Sequence, residues 1–170
     1  QVNRIEKLHA ALQVCEEIIA AGRDLGDDGE FGFEVARRGI YAFRGVDSNN
    51  ADDINHAIRR ERLKPLANQG PRTFARDLRR TLALLGFLVE NPQGTWEVTP
   101  SGQQLLMLPD PPNPESTQLW TQHLLDVPLG DVPNGVSHPA VNMLRLVIKH
   151  PGIEKRQLAF ALEMEDDSEE

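Results

Sequence analysis

Between Arg72 and Gly86 the chain carries a pattern that few structures accommodate. At about 100° per residue, Phe74, Leu78, Leu82 and Leu85 fall within about 80° of one another, while Arg72, Arg76, Arg79 and Arg80 gather on the opposite side. Such a segment is expected to be a helix that lies on a core by one face and offers guanidinium groups on the other. Gly86 ends it. Residues 87–90 and 96–98 read as short strands around Asn91-Pro92-Gln93-Gly94-Thr95, a hairpin tip by composition. Thr99 is placed to cap a further helix, with Pro100 at its first position.

The charge distribution sharpens this pattern. The 170 residues carry a net charge of −8, yet residues 54–80 hold 8 basic and 2 acidic groups, net +6. The flanks are acidic: −5 over residues 1–53, −3 over 81–162 and −6 over 163–170. A concentrated basic segment selects partners more strongly than a whole-chain balance does, so nucleic acid is a candidate partner of an acidic protein. Arg59, Arg60, Arg62 and Lys64, just before the arginine-faced helix, are candidate phosphate contacts. Hydrophobic residues at 39% are enough for a core.

The remaining segments are less sharply defined. Residues 2–21 read as a long helix whose Ile5, Leu8, Leu12, Cys15 and Ile19 form a narrow seam for one partner helix, either internal or in a second copy of the chain. Gly26-Asp27-Asp28-Gly29 reads as a loop. Residues 31–43 are ambiguous, because Phe31, Phe33 and Val35 alternate like a strand while 35–40 fits helical turns. Ser48-Asn49-Asn50 supplies caps for a helix ending before Pro65, and residues 68–71 form a turn. Residues 109–115, with four prolines between Pro109 and Pro114, are a stiff linker. Helices are expected at 116–126, 139–149 and 153–162, with a loop at 127–138 and an acidic tail at 163–170.

Helix, turn, arginine-faced helix, hairpin and a helix opening Thr-Pro-x-Gly follow one another in the order of a winged helix-turn-helix. The run Thr73-Phe74-Ala75-Arg76-Asp77-Leu78-Arg79-Arg80-Thr81-Leu82, followed by Gly86-Phe87-Leu88-Val89-Glu90, resembles a recognition helix entering a wing. Trp96-Glu97-Val98-Thr99-Pro100-Ser101-Gly102 resembles the return strand and the next helix. The resemblance covers residues 51–107. A mainly α fold is therefore expected, with an N-terminal helical segment over 1–50, the winged unit over 51–108 and the start of a second helix-turn-helix over 116–162. Two such units joined by a proline linker resemble the recognition regions of FokI/AlwI-like type II restriction endonucleases. That likeness implies sequence-specific binding of double-stranded DNA here, with cleavage by a nuclease domain elsewhere that would use Mg²⁺. The residues expected at DNA are Arg72, Thr73, Arg76, Arg79, Arg80, Lys64, Arg62 and Gln93. A winged-helix transcriptional regulator, dimerised through the first helix, and a protein-binding scaffold are the rival readings.

Other chemistry has no sequence support. Pro109-Asp110 is not followed by the acidic-x-Lys tripeptide of a metal-dependent nuclease, and the five histidines show no metal-ligand spacing. Neither a Gly-x-Ser-x-Gly elbow nor a phosphate loop occurs. Cys15 is the one cysteine, so an internal disulfide is impossible, and no apolar run approaches the roughly 18 residues of a membrane helix. A reducing, cytoplasmic setting is expected. A chain that starts without Met reads as an excerpt.

Overall fold

A computed structural model describes residues 5–131 and 135–154, which are mainly helical with small antiparallel hairpins. They divide into two compact units after Thr117. The first contains α1 (Ile5–Ala20), α2 (Asp28–Arg37), α3 (Ala51–Arg62), a 3₁₀ turn (Leu66–Asn68) and α4 (Gly70–Leu84). Strands β1 (Leu88–Glu90) and β2 (Trp96–Val98) and helix α5 (Pro100–Met107) complete it. Helix α6 (Pro114–Leu125) runs from the first unit into the second, which adds β3 (Leu129–Asp131), β4 (Gly135–Ser137) and α7 (Pro139–Lys149).

Burial explains α1. Leu12 and Cys15, the middle of its apolar seam, are fully buried beside Ala11, Val14 and Ile18, while Ile5, Leu8 and Ile19 are half-buried. The centre of the seam is thus spent inside its own unit. Burial also pushes the Cys15 thiol well above its ordinary pKa, outweighing the nearby Arg79 charge, so the thiol stays protonated.

The segment that sequence left ambiguous is α2. Asp27, expected in a loop, is its N-cap and accepts the Gly29 N–H at 2.8 Å. Phe31 and Val35 are fully buried, and Phe33 and Ala36 pack on Ile54 and Ile58 of α3 with Tyr41, Phe43 and Val46 around them. A helix covered on two sides shows apolar residues at alternate positions, which is why it resembles a strand in sequence. Gly29 and Gly32 lower its helix propensity but let it cross α4 closely. A Cβ at Gly32 would lie 2.5 Å from the Pro71 carbonyl oxygen, and one at Gly29 would collide with the Arg72 guanidinium.

Other elements follow their local signals. Asn50 caps α3 through the N–H groups of Asp52 (3.0 Å) and Asp53 (3.3 Å). Helix α4 starts at Gly70, so Gly70 and Pro71, expected in a turn, form its first turn. Leu78 and Leu82 face the core with Leu85, and Phe87 is fully buried where the hairpin begins. Strand β1 pairs Leu88, Val89 and Glu90 with Val98, Glu97 and Trp96 of β2. Thr99 caps α5, accepting the Gly102 N–H at 3.1 Å and donating to the Gly86 carbonyl at 2.6 Å.

In the first unit α1 and α2 both pack on α4. The proline-rich stretch 109–115 belongs to the first unit: Asp110 accepts from Gln13 Nε2 at 2.9 Å and lies 3.1 Å from the buried His9 Nε2. In the second unit β3 and β4 pair antiparallel within the region expected to be a loop. Helix α7 has its expected bounds. The last expected helix lies almost wholly, and the acidic tail entirely, outside the described residues, as does any completion of a second helix-turn-helix. Among the described residues no helix is long and apolar enough to cross a membrane.

His9 gives this arrangement a pH dependence. Burial lowers its pKa, against the opposing pull of Asp110. A histidine depressed in the folded state stabilises the fold fully above its unfolded pKa of about 6.5 and loses that contribution as pH falls below it. Melting temperatures measured from about pH 7.5 to 5.5 are expected to fall more steeply for the wild type than for His9→Gln.

Candidate nucleic-acid interface

Helix α4 divides its arginines into two sets. At about 100° per residue, Arg79 and Arg72 lie about 100–120° from the core-facing Leu78, at the flank that Ala75 opens toward α2. Arg80 and Thr73 lie nearly opposite the core, and Arg76 falls between the sets. Grouping all four arginines on one outward face therefore merged two environments.

The inner set is engaged by the start of α2. Arg79 is buried; its Nη2 donates to Asp28 Oδ1 at 2.7 Å and its Nη1 to the Leu25 carbonyl at 2.7 Å. Its guanidinium carbon also lies 5.1 Å from the centre of the Trp96 ring. Arg76 Nε donates to Asp28 Oδ2 at 3.0 Å, though its side chain remains 46% exposed. Arg72 Nη1 lies 3.5 Å from Asp27 Oδ1. Arg79 therefore clamps α4, the 22–27 loop and the hairpin, and little of its side chain reaches solvent. Asp27 and Asp28, which do this, escaped sequence reasoning. Their signal was an acidic pair set to cap a helix.

The outer set faces solvent. Thr73, Arg76, Asp77, Arg80 and Leu84 form an exposed stripe along α4. Arg80 has no side-chain partner among the described residues. Arg59, Arg60, Arg62 and Lys64 are exposed at the end of α3. Arg62 stacks over the Phe33 ring at 4.8 Å, and Lys64 Nζ donates to Glu61 Oε2 at 2.7 Å. Glu61, another residue sequence reasoning missed, is buried; its Oε1 accepts the Gly70 N–H at 2.8 Å and so fixes α4 to α3. Gln69 adds a bond from Nε2 to the Lys64 carbonyl at 3.0 Å.

Gln93 is exposed at a hairpin tip that is held in shape. Asn91 Oδ1 accepts the N–H groups of Gln93 (3.1 Å) and Thr95 (2.9 Å), and Gly94 takes the positive φ of +79° that the turn requires. Thr73, Arg76, Arg80 and the α3 cations thus occupy neighbouring helices joined by one short turn, with Gln93 on the hairpin that follows. Among the described residues no group of three or more histidine, cysteine, aspartate or glutamate side chains could hold a metal ion.

The two arginine sets predict opposite mutational behaviour. Arg79→Ala removes the donor to Asp28 Oδ1, leaving that largely buried carboxylate to Arg76 alone, and the donor to the Leu25 carbonyl, at a cost of about 2–4 kcal/mol in urea unfolding. Arg80→Ala, at an exposed site without a partner, is expected to cost under about 0.5 kcal/mol. Equal losses would overturn the division. As for known proteins, no family model matches the chain, and neither a curated protein nor a solved structure matches it.

Proposed function

We propose that residues 51–107 form a winged helix-turn-helix that binds double-stranded DNA, with α4 entering the major groove. The observation that carries this reading is the exposed stripe of Thr73, Arg76 and Arg80 on a helix that packs against α2, is bonded to α3 through Glu61, and is followed by a two-stranded hairpin. A helix fits the major groove, where guanidinium groups bond guanine O6 and N7. The cations at the end of α3 meet flanking phosphates, and Gln93 at the hairpin tip reaches backbone or minor groove. Sequence is read through Arg76 and Arg80, and Arg72 and Arg79 shape the helix without reading bases.

On the resemblance in sequence order, this chain serves as the recognition region of a type II restriction endonuclease whose nuclease domain lies elsewhere. A regulator's dimer through α1 is not part of the proposal, because Leu12 and Cys15 are buried within the unit. A protein-binding scaffold remains the second reading, favoured by the exposure of Leu63 (86%) and Leu66 (65%) beside the basic residues.

Fluorescence anisotropy with a mixed-sequence duplex tests the proposal. Engagement of about six phosphates predicts a loss of affinity on the order of 10³-fold between 50 and 200 mM salt. Arg76→Ala/Arg80→Ala is expected to weaken binding at least about tenfold, and Lys64→Ala to weaken all sequences alike and flatten the salt slope. Undiminished binding by the double variant removes the α4 face from the mechanism. Absence of duplex binding at low salt favours the scaffold.

A further inference from the structure

Beside α3 the surface holds a cleft of about 430 Å³ that shares Arg60 and Lys64 with the duplex reading but is otherwise unused by it. Tyr41 and Phe43, their rings 5.1 Å apart and nearly perpendicular, line it, and Arg44, Arg60 and Lys64 bring three cations to it from the loop after α2 and from the end of α3. The anionic side of the balance is small. Among the described residues Glu61 is the one carboxylate lining the cleft, and both of its oxygens are taken, Oε1 by the Gly70 N–H and Oε2 by Lys64. Arg44 and Arg60 are exposed and have no side-chain partner among the described residues. Nor does the Tyr41 hydroxyl, whose pKa burial and the Glu61 charge hold above its ordinary value, so that it stays a proton donor.

Another cleft beside α3, about 470 Å³, also holds three arginines, but more of its charges are paired. There Arg72 faces Asp27 and Arg37 is paired with Glu34 at 2.6 Å, while Glu30 is bonded by Arg23 at 2.5 Å. An excess of cations in a concave site favours a multiply charged anion. Guanidinium groups bind phosphate in bidentate fashion, and aromatic walls favour a flat ring. The volume is that of a small-molecule site.

We propose that this cleft binds a nucleotide, its phosphate held by Arg44, Arg60 and Lys64 with the Tyr41 hydroxyl donating, and its base against the Tyr41 and Phe43 rings. The site shares Arg60 and Lys64 with the flanking phosphate contacts, takes none of its lining from the outer stripe of α4, and goes beyond duplex binding. Two sources supply such a ligand: an unpaired nucleotide of a DNA strand, or a free mononucleotide.

The experiment is a binding titration of the full chain with two probes, a 5′-phosphorylated single-stranded hexanucleotide and deoxyadenosine 5′-monophosphate. Both are compared with deoxyribose 5-phosphate, which lacks a base, and with a blunt duplex lacking terminal phosphates. Wild type is expected to bind at least one nucleotide probe at or below about 1 mM, and Arg44→Ala to weaken it about tenfold, the loss of one charge-assisted contact. Tyr41→Phe, which keeps the ring, is expected to weaken it less. Preference for the hexanucleotide assigns the site to a DNA strand, and equal binding of the monophosphate assigns it to free nucleotide. Binding of neither probe, unchanged binding by Arg44→Ala, or equally tight binding of deoxyribose 5-phosphate each overturns the proposal. Blunt-duplex affinity is expected to survive Arg44→Ala, so loss of the nucleotide site and loss of duplex binding are separately visible.

Discussion

The first unit depends on how closely α2 crosses α4. Gly32 leaves the Pro71 backbone uncovered, Gly29 makes room for Arg72, and Asp28 closes the crossing by bonding both Arg76 and Arg79. Asp28 occupies the first turn of α2, where the helix dipole already favours a negative charge. One carboxylate thereby answers a helix terminus and two guanidinium groups. A pair as buried as Asp28 and Arg79 adds little net stability over a packed apolar pair, but either partner alone is costly. Its effect is directional: it selects one seat for α4 against α2. Through the Leu25 carbonyl and the Trp96 ring, Arg79 extends that choice to the 22–27 loop and the hairpin.

Much of this architecture was legible in sequence, where local chemistry and burial point the same way. The Thr99 cap, the Asn50 cap, the Leu78/Leu82 core face and the hairpin around Asn91 are short-range features, each set by residues within a few positions. Helix α2 was obscured for the opposite reason. Its two glycines argue against a helix, and the contact that requires them comes from Pro71 and Arg72, some forty residues on. The same distance hid the division of the arginines. Periodicity placed Arg79 opposite the apolar face, but an angle on a wheel cannot say that a neighbouring helix brings an aspartate to that flank and covers it. Glu61 was hidden by its company, since an acid between three arginines and a lysine reads as charge balance, whereas burial gives it two partners of its own.

The acidity of the chain takes on a different meaning once these pairs are placed. Within residues 1–53, Asp27 and Asp28 face the inner arginines of α4, Glu34 faces Arg37, and Glu17 faces Arg38. These acids neutralise cations locally and at short range, where a salt bridge is least screened. In the first unit, Arg80 on the outer stripe of α4, Arg59 and Arg60 at the end of α3 and Arg44 beside the Tyr41–Arg44 cleft have no carboxylate partner among the described residues. A long-range field that steers an anionic polymer arises from what remains unpaired. A net charge of −8 is thus compatible with a polyanion partner, provided the excess negative charge sits away from that surface. Arg80 and Arg60, without carboxylate partners among the described residues, contribute more of that field than Arg76, and Arg79 contributes almost none.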